Sequence, residues 1–489
     1  MDISRRGFLK AGVGAGLAAM QLGMLASAEE VEKRVVAEGS GVRRRNLLFI
    51  MSDQHRGDAL SCEKHPVVRT PMLDRLAGEG VRFSHTYCQS PLCVPSRACS
   101  MTGRYVHLNR CYSNACRLPE EEYTWAEFLR DEGYTTVSVG KTHGIDDGLE
   151  VTHQSNAGSY PSGASAYNNK MNGLVYGTSP AAADEFYDAR IANAAIEQMK
   201  RFKEEGKPWA LFVGIFSPHP PLWPPKPYDT MYDPDEMAVP PFELSDLDTR
   251  PDWQRRTYQS RFSAYTEGDK RNIISHYYGL VTYIDVQIGR IIDALDETGM
   301  GGDTVVVYTS DHGDNLGEHG LFAKFASMYE GETRVPGMIR LPGVVAKGAV
   351  VDKPIEGIDL TTTALRLLGY EPPEQMLGRD LRRLIQGDEG AGRPFVYSAI
   401  ARGEERGMML RTEEWKLCHY SDQAGELYNL KNDPGEMRNL YGDPGVREVR
   451  DELTYSLLSH VARSQARPEV RRAQSRGGSE AEAGARRTR

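Results

Sequence analysis

The sequence predicts an α/β fold: a large mixed, mostly parallel sheet sandwiched by helices, with a smaller C-terminal α+β domain containing an antiparallel sheet. Three observations carry this expectation. Apolar runs of strand length recur along the chain, and they are continuous rather than alternating, so both of their faces must be covered. Segments with helical spacing lie between them. Beyond residue 370 the pattern changes to short strand-like pieces punctuated by turn residues.

In chain order, the first run is Asn46–Asp53, and the stretch opening at Pro71 and closing in Gly78 and Gly80 reads as the helix that follows it. Thr135–Lys141, Trp209–Pro218, Thr304–Asp311 and Val335–Leu341 give further strands, and Ile273–Leu295 repeats apolar residues at helical spacing. These elements define a large domain over residues 45–370. The pieces RPFVYSAI, GMMLRT, WKLCHY and ELYNL, with a turn at Asp433-Pro434-Gly435, define a smaller domain over 385–460. At 489 residues the chain exceeds what one hydrophobic core organises, which agrees with two domains.

Both ends read as something other than core. Residues 463–489 are basic and poor in large apolar groups, a composition that stays solvated and disordered. The net charge of the whole chain, -9, offers nucleic acid no overall attraction, and no such partner is expected. At the other end, Arg5-Arg6, a glycine-rich apolar run and the small residues Ala26-Ser27-Ala28 resemble a twin-arginine export signal over 1–28. Its apolar run is too weak for a membrane anchor. The expected location is therefore periplasmic or extracellular, with the export machinery as a partner. Because that route carries folded proteins, any metal or modification is installed first. The chain has 7 cysteines, an odd number, so at least one thiol is left over.

Four apolar runs end in polar groups used in catalysis: Asp53-Gln54, Lys141-Thr142-His143, Ser217-Pro218-His219 and Asp311-His312. A lone Asp after a strand is ordinarily a cap or turn residue, but four such endings converge when parallel strands place their carboxyl ends at one edge. Asp53, Asp311 and the Gln54 oxygen offer a hard cation site, to which His312 adds nitrogen. Arg97, Lys141, Lys324 and Arg334 are cationic donors suited to a tetrahedral oxyanion. His143 and His219 exchange protons near neutral pH. This inventory suits sulfuryl or phosphoryl transfer. A glycine-rich nucleotide loop and a closely spaced Cys/His zinc set are both missing.

Cys93-Val94-Pro95-Ser96-Arg97, continued by Met101-Thr102-Gly103-Arg104, matches throughout the signature of the type I sulfatases of the alkaline-phosphatase-like superfamily. The chain resembles that family over residues 46–445, including TPMLDRLAGEGVRF, GKTH, SPHPP, SDHGD and YEGETRVP. The resemblance implies that Cys93 is converted to Cα-formylglycine by a formylglycine-generating enzyme. It then serves as nucleophile and as ligand of a divalent cation, together with Asp53, Gln54, Asp311 and His312. It further implies that Arg97 fixes the formylglycine, Lys141 and Lys324 hold sulfate oxygens, His143 assists breakdown of the sulfated intermediate and His219 protonates the leaving alkoxide. Asn114 occupies a spacing used in some relatives to hold the attacked group. Arg334 reads as a structural ion-pair residue.

The implied reaction is hydrolysis of a sulfate ester of a saccharide or other small organic alcohol. Two departures qualify it: Asp53-Gln54 and Asp311-His312 replace the Asp-Asp and Asn of many sulfatases. Fewer carboxylates leave Ca2+ as first expectation and bring Mg2+ or Mn2+ nearer. Phosphonate monoester hydrolases and phosphodiesterases of the superfamily share the Asp-Gln and Asp-His pattern and form the alternative. The two cation-capable groups of Gly140-Lys141-Thr142-His143 favour the sulfatase. A dead scaffold would lack the nucleophile or a metal carboxylate, and this chain has both.

Overall fold

Unbroken hydrophobicity becomes burial on two faces. All eight residues of strand β1 (Asn46–Asp53) are buried, and their side chains alternate between two cores. Leu48 and Ile50 pack with the helices Tyr187–Glu205 and Glu267–Glu297 on one face, while Leu47, Phe49 and Met51 pack with the helices Trp125–Asp131 and Gly357–Leu367 on the other. The result is a sheet covered by helices on both sides.

The computed structural model describes residues 44–145, 149–154, 176–325, 327–402, 405–421 and 425–465. The expected export signal 1–28, nearly all of the basic tail 463–489 and much of the polar loop 148–180 lie outside the described residues. After β1 come β2 (Val81–Phe83), β3 (Thr86–Tyr87), β4 (Thr135–Gly140), β5 (Glu150–Gln154), β6 (Trp209–Pro218) and β7 (Thr304–Ser310). The remaining strands are β8 (Arg334–Val335), β9 (Gly337–Arg340), β10 (Ala349–Val351), β11 (Ile355–Glu356), β12 (Val396–Arg402), β13 (Glu405–Arg411), β14 (Trp415–Tyr420) and β15 (Gly425–Asn429).

The main sheet has eight strands in the order β10-β2-β9-β7-β1-β6-β4-β5. Every neighbouring pair is parallel except the two made by β9, which runs against β2 and β7. The expected mixed, mostly parallel sheet is thus present. β12 to β15 form the expected antiparallel sheet, against which Leu453 and Leu457 of the helix Arg447–Gln465 pack. β1 lies between β6 and β7, so the carboxyl ends of three adjacent parallel strands open at one edge.

Two glycines shape that edge. Gly140 holds a φ of 85°, and a Cβ there would lie 2.2 Å from the Gly214 carbonyl oxygen. A Cβ on Gly214 would lie 2.1 Å from the Lys141 carbonyl oxygen, whereas the bare backbones meet in a 2.8 Å hydrogen bond from Lys141 N–H to Gly214 O. Because the obstructing atoms are backbone, the strands themselves must part to admit a methyl group. Gly214→Ala is therefore expected to destabilise the fold by about 1–3 kcal/mol and to displace Lys141. Urea denaturation checks the first effect and KM for a sulfate ester the second.

Candidate active site

Each strand end delivers one or two chemical groups. β1 ends in Asp53, and Gln54 follows at φ 69°. β7 leads into Asp311 and His312, β4 into Lys141, and β6 into His219. Cys93 opens the helix Cys93–Thr102, every residue of which is buried, so the positive end of the helix dipole lies at the sulfur. Lys324 comes from the loop that follows His312.

These residues meet around Cys93 Sγ. The thiol lies 3.7 Å from Asp53 Oδ1, 3.4 Å from His312 Nε2 and 4.0 Å from Lys141 Nζ. Lys141 Nζ is 2.5 Å from Asp53 Oδ2. Arg97, fully buried, spans the two carboxylates: Nε donates to Asp311 Oδ2 at 2.9 Å, Nη2 to Asp53 Oδ2 at 3.2 Å, and Nη1 to the Lys141 carbonyl at 3.0 Å. Lys324 Nζ donates to Gln54 Oε1 at 2.9 Å and stands 4.0 Å from Asp53 Oδ1. His219 donates from Nδ1 to the Pro220 carbonyl at 2.7 Å and reaches the Cys93 side chain.

Three named residues stand apart from these contacts. His143 shares the Lys141 loop and is half-buried, with its Nδ1 buried and lacking a protein partner. Asn114 is exposed, and its Oδ1 accepts from Val94 N–H at 3.1 Å, so it caps the helix that begins at Cys93. Arg334 pairs with Glu63 at 2.6 Å and serves structure.

Other residues not named from the sequence complete the surroundings. Tyr277 donates its hydroxyl to the Gln54 carbonyl at 2.6 Å and accepts from Arg56 N–H at 3.0 Å, which holds the left-handed backbone at Gln54. Asp314 Oδ2 accepts from Gln54 Nε2 at 2.6 Å. Asp188 accepts from Phe216 N–H at 2.8 Å and Ser217 N–H at 3.3 Å, fixing the end of β6. Of these, only Asp314 carries a sequence signal, its place in SDHGD.

Electrostatics follow the geometry. Burial opposes ionisation of Asp53, but Lys141, His219, Lys324 and Arg97 together hold its carboxyl well below the usual range. At Cys93, burial and the Asp53 charge push the thiol upward, and Lys141, Lys324 and His312 outweigh them, leaving it well below an ordinary thiol. Burial, with Asp53 adjacent, raises Asp311 to about 6. Burial lowers His219 to about 4, helped by Lys324, so its imidazole is neutral at pH 7 until negative charge arrives.

Asp53, Cys93, Asp311 and His312 offer donor atoms that all lie within 4.8 Å of one another, and all four are buried. His312 donates Nδ1–H to the Gly313 carbonyl at 2.8 Å, which leaves the Nε2 lone pair pointing to the cluster. Two carboxylates and one imidazole nitrogen fit a divalent cation. Gln54 Oε1 adjoins this set through Lys324. None of the 7 cysteines is joined in a disulfide, and Cys93 is a free thiol.

Comparison with known proteins agrees with this geometry. Residues 45–370 match the Sulfatase family, and residues 317–463 match the N-sulphoglucosamine sulphohydrolase C-terminal family. The chain is 30% identical to the choline-sulfatase of Rhizobium meliloti over 80% of its own length and 81% of that protein's. It is 26% identical to the N-acetylglucosamine-6-O-sulfatase of Bacteroides thetaiotaomicron, covering 86% of this chain and 85% of that one. Among solved structures, the phosphonate monoester hydrolase of Agrobacterium radiobacter superposes with a TM-score of 0.77 at 26% identity, over 86% of this chain and 96% of that one. The chain belongs to the sulfatase family, within the alkaline-phosphatase-like superfamily, and is a sulfuric ester hydrolase.

Proposed function

We propose that this enzyme hydrolyses the sulfate ester of a saccharide or another small organic alcohol, through a formylglycine made from Cys93 and a divalent cation, with Ca2+ first. The observation that carries the reading is the buried meeting of Cys93 with two carboxylates, one imidazole and the cations Arg97, Lys141 and Lys324. Hydrated formylglycine supplies two hydroxyls on one carbon, one to accept the sulfuryl group and one to drive its release as sulfate. The cation, held by Asp53, Gln54, Asp311, His312 and the oxidised residue 93, supplies charge to polarise sulfate oxygens and to acidify the attacking hydroxyl.

The side chains do the rest. Arg97, one turn on from residue 93 in the same helix, fixes it and neutralises the paired carboxylates. Lys141 and Lys324 take sulfate oxygens, exchanging their present acceptors Asp53 and Gln54 for the substrate. Phe216, whose ring lies 4.9 Å from Lys141 Nζ, limits water on that side. His143, with its Nδ1 open, assists breakdown of the sulfated intermediate. His219 is neutral in the free enzyme, and an anionic ester beside it favours its protonated form, from which it gives the alkoxide a proton.

That role has a signature. His219→Ala is expected to slow hydrolysis of an alkyl or sugar sulfate about 10^2- to 10^4-fold, and to slow an aryl sulfate with a good leaving group far less. Parallel steady-state rates on the two substrate types check it; equal losses contradict the general-acid assignment.

The name of the Bacteroides relative supports a sulfated sugar as substrate, and that of the Rhizobium relative supports a small sulfated alcohol. A phosphonate monoester is the second reading, favoured by the Agrobacterium neighbour and by Gln54 and His312. Rates on an aryl sulfate, a sulfated sugar and a phosphonate monoester decide between them, and preference for phosphorus overturns the first. Residues 1–28 act, in this reading, as a twin-arginine signal that takes the folded, modified enzyme to the periplasm or beyond.

A further inference from the structure

Gln54 is bracketed at every polar atom. Its N–H donates to Asp311 Oδ1 at 3.1 Å and its carbonyl accepts from Tyr277, while its side-chain Nε2 donates to Asp314 Oδ2 and its Oε1 accepts from Lys324 Nζ. The side-chain bonds have only one consistent sense. An ammonium group only donates and a carboxylate accepts, so the amide must turn its NH2 to Asp314 and its oxygen to Lys324. Asp314 is itself fixed, because its other oxygen, Oδ1, accepts from Leu316 N–H at 2.7 Å. The pair is buried, at 0% exposure for Gln54 and 2% for Asp314, so water cannot satisfy an amide turned the other way.

We propose that Asp314 is a positioning residue that locks the sense of the Gln54 amide, so that the carbonyl oxygen rather than the NH2 group faces Lys324. The proposal rests on the reading of Asp53, Gln54, Asp311 and His312 as a cation site. An inverted amide would present two N–H donors where a cation and an ammonium group need an acceptor. Asp314 would then act on the cation without touching it, through a contact spanning 260 residues of sequence.

The test exchanges the two side-chain chemistries. In Asp314→Asn, Leu316 N–H claims the Asn oxygen, so an NH2 group meets Gln54 and the amide must invert. In Gln54→Glu, two carboxylates face each other. In the double variant Asp314→Asn/Gln54→Glu, the Asn NH2 donates to one Glu oxygen and Lys324 to the other, with the total charge of the pair unchanged. Ca2+ affinity of each full-length protein is measured by competition with a chelating indicator, alongside thermal unfolding. Each single variant is expected to lose about 10- to 100-fold in Ca2+ affinity, and the double variant to recover most of it.

If the wild type holds no divalent cation, the cation-site reading falls and the proposal with it. If the wild type binds Ca2+ and Asp314→Asn binds it equally well, the cation site stands and the latch is wrong. Loss in both single variants without recovery in the double points to a bulk structural role and also overturns the latch. Should Asp314→Asn fail to fold, Gln54→Glu against the double variant makes the same comparison.

Discussion

Cys93→Ala is expected to lower turnover of every sulfate ester by on the order of 10^4- to 10^6-fold, the scale seen when a nucleophile acting in a concerted set is removed. Cys93 is 1% exposed, and Asp53, His312 and Lys141, the side chains that reach its thiol, carry no hydroxyl to replace it. Cys93→Ser gives a sharper result. A single hydroxyl can accept the sulfuryl group but has no second hydroxyl on the same carbon to expel it. That variant is expected to release about one equivalent of alcohol per enzyme and then stall as a sulfated serine. Stopped-flow detection of the burst and intact mass of the stalled protein check this; steady turnover by the serine variant contradicts the two-hydroxyl account.

Arg97→Ala carries the second large effect, on stability as well as rate. Its guanidinium is fully buried and is the shared partner of Asp53 and Asp311, 3.2 and 2.9 Å away. Removal leaves two adjacent buried carboxylates short of one countercharge, a loss of about 3–5 kcal/mol. Arg97→Lys does not restore it, because one ammonium group cannot span two carboxylates and the Lys141 carbonyl together. Denaturant unfolding checks the magnitude. Adding Ca2+ is expected to stabilise the variant more than the wild type, since a bound cation supplies the missing charge.

The central strands were legible because they are buried on both faces. Leu47 to Met51 serve two cores at once, which demands unbroken hydrophobicity, and the same holds for β6 and β7. The three-residue strands β10, at the sheet edge, and β2, beside it, show no such period, and Arg82 and Val350 in them are not buried. The reversed direction of β9 leaves no trace in Met338 or Ile339, because either direction buries them equally well.

At the site, residue types at strand ends were legible because parallel strands bring their carboxyl ends together. Lys324 ends no apolar run and follows a loop in which Leu316, His319 and Ala323 all take positive φ, so its residue type marked it as a cationic donor while its place at the site stayed hidden. The sense of the Gln54 amide, the Tyr277 brace and the Asp188 cap were illegible for another reason. Each joins residues 28 to 260 positions apart, and neither periodicity nor composition encodes such a meeting. At Asn114 the spacing suggested a substrate contact, and what it could not show is that the carbonyl oxygen accepts from Val94 N–H at the helix end, which leaves the NH2 group for such a contact.

The most direct measurement is mass spectrometry of the peptide that spans Cys93, taken from catalytically active protein made in a host that carries the modifying enzyme. Residue 93 is expected to have lost its sulfur and to carry an aldehyde, trapped as a hydrazone by a carbonyl reagent, and the aldehyde fraction is expected to scale with specific activity across preparations. Full activity on a sulfate ester from protein whose Cys93 is entirely thiol would contradict it.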